Sequence, residues 1–314
     1  MVLAAEMAGL RDVAVVGAGA AGLSAALFAA MEELDVLVLE ALASGGQELL
    51  VEEVHNYPGA PRVPGYELAQ RMEQQAASSG ARLINAHVTA VRREGETFVL
   101  DCDREQVRAR TVILASGTEP RTLGVPGERE LRGRGVSSCA SCDAPFFRGK
   151  RILVAGGGDA ACEEALLLAG ISDRIVVAHR GERLRAQATL ARRLLESPAV
   201  ELRLRTRVLA IMGPDRVRAV QLRDEAGPRE YREEFDAVFV FVGSTPRLPE
   251  LQGLERDRDG YLVTDDRMRT AIPGLFAAGA VRASGFRVLV VAAAEGALAA
   301  HSAAAYLSER RSPR

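Results

Sequence analysis

Two glycine-rich turns, each placed between an apolar run and an alanine-rich segment, constrain the fold of this chain more than any other feature. Residues 17–22 read GAGAAG and follow the apolar run 12–16, and residues 156–161 read GGGDAA and follow the run 151–155. A strand that ends at such a turn and continues into a helix begins a βαβ unit, whose glycines let a pyrophosphate approach the backbone. The repeat predicts two Rossmann-like units in an α/β fold.

Further apolar runs complete each predicted unit. A second strand follows each helix, and a closing strand ends in glycine. Because these runs are continuously apolar, we expect parallel sheets that are buried on both faces. The predicted strands cover residues 12–16, 35–40, 111–117, 151–155, 174–178, 237–243 and 274–279, and the predicted helices cover 23–31, 162–168 and about 286–307.

Two prolines mark the points where the chain is expected to pass between the units. Pro120 follows the closing strand of the first unit, and Pro246 follows that of the second. The last strand and the long helix come after the second crossing. We therefore predict a discontinuous first domain, 1–118 and 246–314, with a second domain, 119–245, inserted into it.

Length and composition exclude several classes of protein. The 314 residues suffice for two domains, and 48% hydrophobic with 26% charged residues is ordinary for a globular protein. A net charge of −2 gives no electrostatic case for nucleic acid or an anionic membrane. Residues 1–8 lack the basic start of a signal peptide, and no apolar run is expected to cross a membrane without a glycine turn breaking it. We expect a cytoplasmic protein with neither nucleic-acid nor membrane partners.

A CxxC motif with an acid directly behind it, Cys139-Ala140-Ser141-Cys142-Asp143, lies between the two glycine turns. A redox dithiol needs one thiol with a lowered pKa to attack a disulfide and a second thiol to resolve the mixed disulfide. Cys139 and Cys142 can divide these tasks, and Asp143 is placed to shuttle the proton. The alternative is half of a zinc site, but no second Cys or His pair with ligand spacing follows, so no metal site is predicted.

The two remaining cysteines are predicted to be structural. Cys102 lies in a strand-like stretch and is interpreted as a bystander. Cys162 begins a helix beside the second glycine turn, where the helix dipole could lower its pKa, although packing is the favoured role. Four cysteines are too few for a structural disulfide framework, which fits a reducing cytoplasm.

The ends of the second strands predict which nucleotide each unit binds. Glu40 is placed to accept a ribose hydroxyl in the first unit. His179, Arg180 and Arg185 stand at the corresponding place in the second, where a cation suits the 2′-phosphate of NADPH and an acid suits the 2′-hydroxyl of NADH. The structural alternative for these arginines is a solvated basic start of a helix.

Taken together, these segments resemble the low-molecular-weight thioredoxin reductases over nearly the whole chain. Beyond the turns and the redox motif, Gly45-Gly46-Gln47 and His55-Asn56-Tyr57-Pro58-Gly59 are similar to the flavin-contacting segments of that family. The resemblance implies a two-dinucleotide-binding-domain flavoprotein, with FAD in the first domain and NADPH or NADH in the second. It also implies a homodimer in which the inserted domain rotates between two poses, one bringing NADPH and the other the dithiol to the flavin.

The activity that the resemblance implies is FAD-dependent disulfide reduction. Electrons would pass from NADPH or NADH via FAD to the Cys139–Cys142 dithiol, and from there to thioredoxin or a thioredoxin-like protein. The contacts it implies for FAD are Gly17, Gly19, Ala20, Ala21, Gly22, Glu40, Gly46, Gln47, Asn56, Val88, Ala115, Gly117, Gly279, Ala280, Arg287 and Val288. Those it implies for the nicotinamide cofactor are Gly156, Gly158, Asp159, Ala160, His179, Arg180 and Arg185.

Three positions depart from the pattern of the family. Gly181 replaces the second arginine of the HRRxxxR segment, and the loss of one charge-assisted contact is expected to weaken NADPH binding about ten- to a hundredfold. Arg183 could replace the lost partner, whereas Glu182 would favour NADH. Ala280 stands where the family has an aspartate for a ribityl hydroxyl, and Val288 stands where it has a glutamine at the flavin ring.

These departures leave two alternatives open. One is a nicotinamide-independent relative with the same fold, either a ferredoxin-linked reductase or an oxygen-dependent dithiol oxidase, which Gly181 and the altered flavin pocket motivate. The other is a flavin-poor, redox-sensing protein, for which Ala280 and Val288 are the support.

Overall fold

Two units, each built around its own parallel sheet, make up the chain in the computed structural model. One unit consists of Met1–Glu119 and Thr245–Arg314, and the other of Pro120–Ser244. The structure describes residues 7, 9–51, 53–60, 62–103, 105–227, 229–283 and 286–311. The α/β fold with two Rossmann-like units, which the glycine turns predict, is confirmed.

Helices and strands are numbered along the chain. They are β1 (Leu10–Val16), α1 (Ala20–Met31), β2 (Val36–Glu40), α2 (Gly65–Ser78), β3 (Arg82–Asn85), β4 (Val88–Glu94), β5 (Thr97–Cys102), β6 (Gln106–Leu114), β7 (Thr118–Pro120), β8 (Val136–Ser137), α3 (Ala140–Asp143), β9 (Ile152–Gly156), α4 (Asp159–Ala169), β10 (Ile175–Ala178), α5 (Ala188–Glu196), β11 (Val200–Arg203), β12 (Thr206–Met212), β13 (Ala219–Asp224), β14 (Arg229–Glu234), β15 (Ala237–Phe241), β16 (Ser244–Pro246), β17 (Leu275–Ala277) and α6 (Leu289–Arg311). Short 3₁₀ turns cover Gly46–Leu50, Ala144–Phe147 and Gly279–Val281.

The first unit contains a seven-stranded sheet in the order β3-β2-β1-β6-β5-β4, with β17 paired to the carboxyl half of β6. Strands β3, β2, β1, β6 and β17 run parallel, whereas β4 and β5 form an antiparallel extension of β6. Val13 to Val16 are buried, as a central parallel strand requires. The carboxyl ends of β1 and β2 therefore lie at one edge of the sheet, where ligands bind in open α/β sheets.

Helices α1 and α6 pack closely in the first unit. A Cβ atom at Gly296 would lie 2.0 Å from the carbonyl oxygen of Ala21, so only a glycine allows this approach. By length and composition, residues Leu289–Arg310 of α6 could cross a membrane, and the expectation that no apolar segment is long enough is wrong. Ala299, Ala300 and Leu307 of this helix lie in the hydrophobic core, which accounts for its apolar composition.

The second unit contains a five-stranded parallel sheet in the order β11-β10-β9-β15-β8. A separate three-stranded antiparallel sheet, β12-β13-β14, follows β11 in the chain. Helix α4 packs on the parallel sheet. The short helix of the CxxC motif, α3, packs against α4. The segments β7 and β16, at which the chain passes from one unit to the other, pair with each other.

Several predicted boundaries are wrong by a few residues. Helices α1 and α4 begin at Ala20 and Asp159, three residues before the predicted starts, because Gly19 and Gly158 cap them in extended conformations. Their first turns contain the glycine motifs themselves and lack the apolar spacing from which the predictions were made. Helix α6 begins at Leu289 and continues to Arg311, so it lies later than the predicted 286–307.

Candidate active site

The two cysteines of the CxxC motif form a disulfide in the second unit. The sulfur atoms of Cys139 and Cys142 are 2.04 Å apart, and their Cα atoms are 5.4 Å apart. Cys139 caps α3 in an extended conformation, and its sulfur accepts the Cys142 N–H at 3.2 Å. The Ser137 hydroxyl accepts the Cys139 N–H at 3.0 Å and donates to the Cys139 carbonyl at 3.2 Å. These bonds hold the backbone on both sides of Cys139.

Asp143 ends α3 and borders a cavity of about 260 Å³. Its N–H donates to the Cys139 carbonyl at 3.3 Å, which places the acid one helical turn after the first cysteine. Phe146 is 77% exposed at the same cavity. The cavity is lined by Gly133, Gly135, Val136, Ser137, Asp143, Phe146 and Phe147. The predicted proton shuttle is thus next to the disulfide in sequence and borders a cavity.

The other two cysteines have the surroundings of inert thiols. Cys162 is fully buried in the core of the second unit, and burial raises its pKa to about 11, with the charges of Asp159 and Glu163 adding to the effect. The idea that the helix dipole lowers this pKa is wrong, and the favoured packing role is confirmed. Burial, followed by nearby aspartates, also raises the pKa of Cys102 to about 11. Within the described ranges, no group of three or more His, Cys, Asp or Glu side chains could hold a metal ion.

The second glycine turn packs against an imidazole ring. His179 follows β10 and is buried. A Cβ atom at Gly157 would lie 2.4 Å from its Cγ atom, and one at Gly181 would lie 2.6 Å from its Nε2 atom. Burial lowers the pKa of His179, and the positive charge of Arg185 lowers it further, so the ring is neutral at neutral pH. The ring fills the space between two backbone segments.

Three exposed arginines, Arg180, Arg183 and Arg185, lie in the loop that follows His179. The N–H of Arg185 donates to the carbonyl of the glycine turn at residue 157, at 2.7 Å. This bond ties the arginine loop to the turn. Glu182 forms an ion pair with Arg205 at 2.8 Å, which compensates the one acidic charge between these arginines. The loop therefore presents positive charge next to the turn.

The start of α4 is shaped by the same turn. A Cβ atom at Gly156 would lie 2.3 Å from the Phe241 carbonyl oxygen, whereas nothing lies within 4 Å of the Cβ position at Gly158. Asp159, the first residue of α4, accepts the backbone N–H of Gln187 at 2.7 Å and its side-chain amide at 3.1 Å. Ala160 is exposed beside it. The turn leaves the helix N-terminus accessible at Gly158.

The first glycine turn, like the second, leaves no room for a side chain at some of its positions. Gly17 has φ of +102°, and a Cβ atom there would lie 2.4 Å from the Ala115 carbonyl oxygen. A Cβ atom at Gly22 would lie 1.9 Å from the carbonyl oxygen of Gly17. Gly19, the N-cap of α1, has only the Glu48 carboxylate near its Cβ position, at 3.9 Å. Two glycines are therefore required by the fold, and the third keeps the N-terminus of α1 open, as phosphate groups require.

Glu40 lies at the end of β2 and holds the turn through its carboxylate. One oxygen accepts the Ala18 N–H at 2.7 Å, and the other accepts the Leu42 N–H at 2.9 Å. Each carboxylate oxygen can accept a second hydrogen bond. The predicted ribose contact therefore remains available while Glu40 fixes the backbone around it.

A second acid at this turn, Glu48, was not predicted from the sequence. Its Oε1 atom accepts the Ala20 N–H at 3.1 Å. Its Oε2 atom is buried without a hydrogen-bond partner in the part of the chain that the structure describes. Burial raises the pKa of Glu48. Since Ala20 begins α1, this carboxylate satisfies one of the N–H groups that a helix leaves free at its start.

The turn at Gly279 and Ala280 is held by another acid, Glu295, that is not predicted from the sequence. Glu295 of α6 accepts the Gly279 N–H at 2.8 Å and pairs with Arg282 through its other oxygen. A Cβ atom at Gly279 would lie 2.7 Å from the Ala21 Cβ atom, so this turn contacts the start of α1. Ala280 is half-buried and contributes only a methyl group.

The remaining predicted FAD contacts are distributed around the same edge of the first unit. A Cβ atom at Gly46 would lie 3.2 Å from the Gly19 Cα atom, so these two segments meet. The Gln47 amide donates to the Thr118 hydroxyl at 2.7 Å, one residue after Gly117. Asn56 is exposed and borders a separate cavity of about 550 Å³ formed by residues 55–59.

Two of the predicted FAD contacts have other neighbours in the structure. The Val88 side chain is buried in the core, which leaves only its backbone for a ligand. The Arg287 guanidinium carbon lies 3.7 Å from the centre of the Tyr261 ring, a cation–π geometry. Val288 is half-buried, and its carbonyl accepts the Ala292 N–H at 3.0 Å at the start of α6.

Comparisons with known proteins agree with this geometry. The family model described as pyridine nucleotide-disulphide oxidoreductase matches residues 11–296. A thioredoxin reductase of Treponema pallidum is 46% identical over 297 residues, which cover 94% of this chain and 97% of that protein. The chain belongs to the thioredoxin reductase family. A thioredoxin reductase of Bacillus subtilis is 37% identical over 302 residues, which cover 96% of both chains.

Solved structures of thioredoxin reductases share the fold of this family member. The Lactococcus lactis enzyme superposes with a TM-score of 0.93 at 34% identity, covering 95% of this chain and 99% of that one. The T. acidophilum thioredoxin reductase superposes with a TM-score of 0.90 at 30% identity, covering 96% of this chain and 99% of that one. The predicted family, the enzyme class and the Cys139–Cys142 redox disulfide of a thioredoxin reductase are thereby confirmed.

Proposed function

We propose that the protein reduces the disulfide of thioredoxin or a thioredoxin-like protein with electrons from NADPH or NADH. The observation that carries this proposal is the Cys139–Cys142 disulfide at the start of a short helix, followed by Asp143 beside a cavity. Two electrons and two protons convert the disulfide to a dithiol. One thiolate then attacks the substrate disulfide, and the second thiol resolves the mixed disulfide and releases the reduced substrate.

The first unit is proposed to bind FAD. The glycine cradle at residues 17–22, the open α1 N-terminus at Gly19 and the Glu40 carboxylate suit a pyrophosphate and a ribose. The Gly279 turn and Arg287 would contact the flavin end. FAD, when bound, would supply the two-electron chemistry that links a nicotinamide to a disulfide.

The second unit is proposed to bind the nicotinamide cofactor. Gly158 leaves the start of α4 open, and Arg180 and Arg185 place positive charge next to it. A guanidinium beside a 2′-phosphate forms a charge-assisted hydrogen bond, which favours NADPH over NADH. We further propose a cytoplasmic homodimer, in agreement with the family resemblance.

Asp143 is proposed to move the proton during disulfide exchange. It lies directly after Cys142 and borders the cavity, where water can reach it. A carboxylate at this position can accept a proton from a thiol as the thiolate forms and return it when the substrate thiol leaves.

Serine variants of the cysteines test the proposed function. Cys139→Ser and Cys142→Ser are each expected to abolish thioredoxin reduction, because neither the disulfide nor its resolution can form. Both are expected to retain flavin reduction by the nicotinamide, measured as anaerobic bleaching of the flavin absorbance. Cys102→Ser, which removes a thiol outside the motif, serves as the control and is expected to keep full activity. Thioredoxin reduction at the wild-type rate in either motif variant would refute the proposal.

A further inference from the structure

A half-buried glutamate, Glu164, lies on the helix that packs against the CxxC helix, and it has no part in the mechanism described above. Glu164 is in the middle of α4, which packs against α3. Its carboxylate accepts the backbone N–H of Ala140, the residue that follows Cys139. Ala140, the first residue of α3, is fully buried in the hydrophobic core of the second unit. A single hydrogen bond therefore links Glu164 to the backbone between the two cysteines.

The second oxygen of this carboxylate has no such bond. Oε2 of Glu164 is buried and lacks a hydrogen-bond partner in the described part of the chain. A buried ionised carboxylate with a free oxygen is costly, whereas a protonated one is tolerated. Burial and, to a smaller extent, the charge of Glu163 raise the pKa of Glu164 to about 7, against the opposing effect of the Ala140 N–H.

Charged side chains are unevenly distributed over the elements packed against α4. Strands β9, β10 and β15 carry no charged side chain along their described lengths. The charged side chains on the other elements are Asp143 on α3, Asp159 and Glu163 on α4 itself, Arg192, Arg193 and Glu196 on α5, and Glu201 and Arg203 on β11. Of these, Glu163 is the one whose charge shifts the Glu164 pKa, so a new negative charge near Glu164 would add to its effect.

We propose that Glu164 takes up a proton when the Cys139–Cys142 disulfide is reduced, and thereby sets how many protons accompany the two electrons. Reduction breaks the S–S bond and leaves one thiol and one thiolate, since a CxxC motif lowers the pKa of one cysteine into the neutral range. The new negative charge favours the neutral form of a nearby carboxyl group. Two electrons from the reductant thus enter with two protons, one on a sulfur and one on Glu164. Glu164 is a positioning residue because it holds Ala140 and carries a compensating proton without touching the substrate.

The proton count can be measured from thiol–disulfide equilibrium with dithiothreitol. The purified full-length protein is equilibrated with reduced and oxidised dithiothreitol between pH 7 and pH 8, and its thiols are trapped and counted by mass. Oxidation of dithiothreitol releases two protons in this range. Because Glu164 is about half ionised at pH 7 and mostly ionised at pH 8 before reduction, the wild-type protein takes up between about one and a half and two protons, and its exchange constant is expected to rise only about twofold over this range. Glu164→Gln takes up one, and its exchange constant is expected to rise about tenfold per pH unit. No nicotinamide or thioredoxin is needed, so this test stands apart from a failure of the proposed electron donor.

Two controls separate proton uptake from a structural role. The glutamine of Glu164→Gln can still accept the Ala140 N–H, so a purely structural residue would leave the weak pH dependence of the wild type unchanged. Glu163→Gln, on the same helix, is expected to show an even weaker pH dependence than the wild type, because one charge that raises the Glu164 pKa is gone. An identical pH response of Glu164→Gln and the wild type would overturn the proposal.

Infrared difference spectra provide a second measurement that needs no folded variant. Reduction of the wild-type protein at pH 8 is expected to produce a carbonyl band of a protonated carboxyl group. Glu164→Gln, where it folds, is expected to lack this band. A reduced-minus-oxidised spectrum of the wild type without any protonated-carboxyl band would contradict the proposal.

Discussion

The imidazole ring of His179 lies so close to Gly181 that a Cβ atom there would be 2.6 Å from Nε2. The second arginine of the family's HRRxxxR segment would have its Cβ atom at this position. An arginine at 181 therefore requires the imidazole ring of His179 to move. The positive charge beside the second glycine turn therefore rests on other residues of the loop. Arg180 and Arg185 flank the ring, and Arg185 is tied to the turn through its backbone.

Arg185→Gln is expected to reduce the preference of the protein for NADPH. The variant loses one charge-assisted contact to the 2′-phosphate, about 1.5–3 kcal/mol, so NADPH should bind about ten- to a hundredfold more weakly. NADH lacks this phosphate and should be affected little. Titration calorimetry with both nucleotides measures the difference, with Arg192→Gln on α5 as the control. Equal losses for NADPH and NADH would show that Arg185 supports the loop and does not recognise the phosphate.

Substitution by alanine should have different effects at the closely surrounded glycines of the first turn, Gly17 and Gly22, and at the accessible Gly19. Gly22→Ala places a methyl group 1.9 Å from a backbone carbonyl and is expected to lower the free energy of unfolding by at least about 1–3 kcal/mol. Gly19→Ala meets no such neighbour and should fold as stably as the wild type. It should nevertheless bind FAD more weakly, because its methyl group stands where the pyrophosphate approaches the helix. Denaturant unfolding and FAD fluorescence titration measure the two effects, and tight FAD binding by Gly19→Ala would place the pyrophosphate elsewhere.

Sequence alone predicted the features whose partners are close in the chain. The glycine turns, β1, β2 and the Cys139–Cys142 pair follow from local patterns, and the structure contains all of them. The two acidic residues that hold the turns of the first unit, Glu48 and Glu295, could not be predicted, because their partners are backbone N–H groups of other segments. Glu48 reaches Ala20, and Glu295 reaches Gly279. The acidic side chains themselves resemble ordinary surface residues in the sequence.

The antiparallel additions were not predicted, and one idea about Cys162 was wrong, for different reasons. Strand β12 has only isolated buried residues and β14 has none, so neither has the continuous burial of the strands that were predicted. The proximity of Cys162 to a helix start suggested a lowered pKa. The side chain is fully buried instead, and burial and two neighbouring acids raise its pKa.

Glu48 makes the stability of the first unit depend on pH. Burial raises the pKa of this carboxyl group above its ordinary value of 4.5, so the folded state holds the proton more tightly than the unfolded chain does. Its contribution to stability is fully present below pH 4.5 and is lost as the pH rises through the folded-state pKa. Glu48→Gln is expected to become more stable than the wild type as the pH increases from 5 to 8. Denaturant unfolding at several pH values tests this, with the exposed Glu96→Gln as the control, and a difference that does not change with pH would contradict it.

Anaerobic absorbance titration of the FAD-loaded protein tests the proposed electron path most directly. We expect NADPH to bleach the flavin band, NADH to bleach it only at higher concentration, and oxidised thioredoxin added afterwards to restore the yellow colour. Gly181 is the observation that favours a nicotinamide-independent relative, and this experiment separates the two functions. A flavin that stays oxidised with both nicotinamides, but is reduced by a dithiol, would contradict the account.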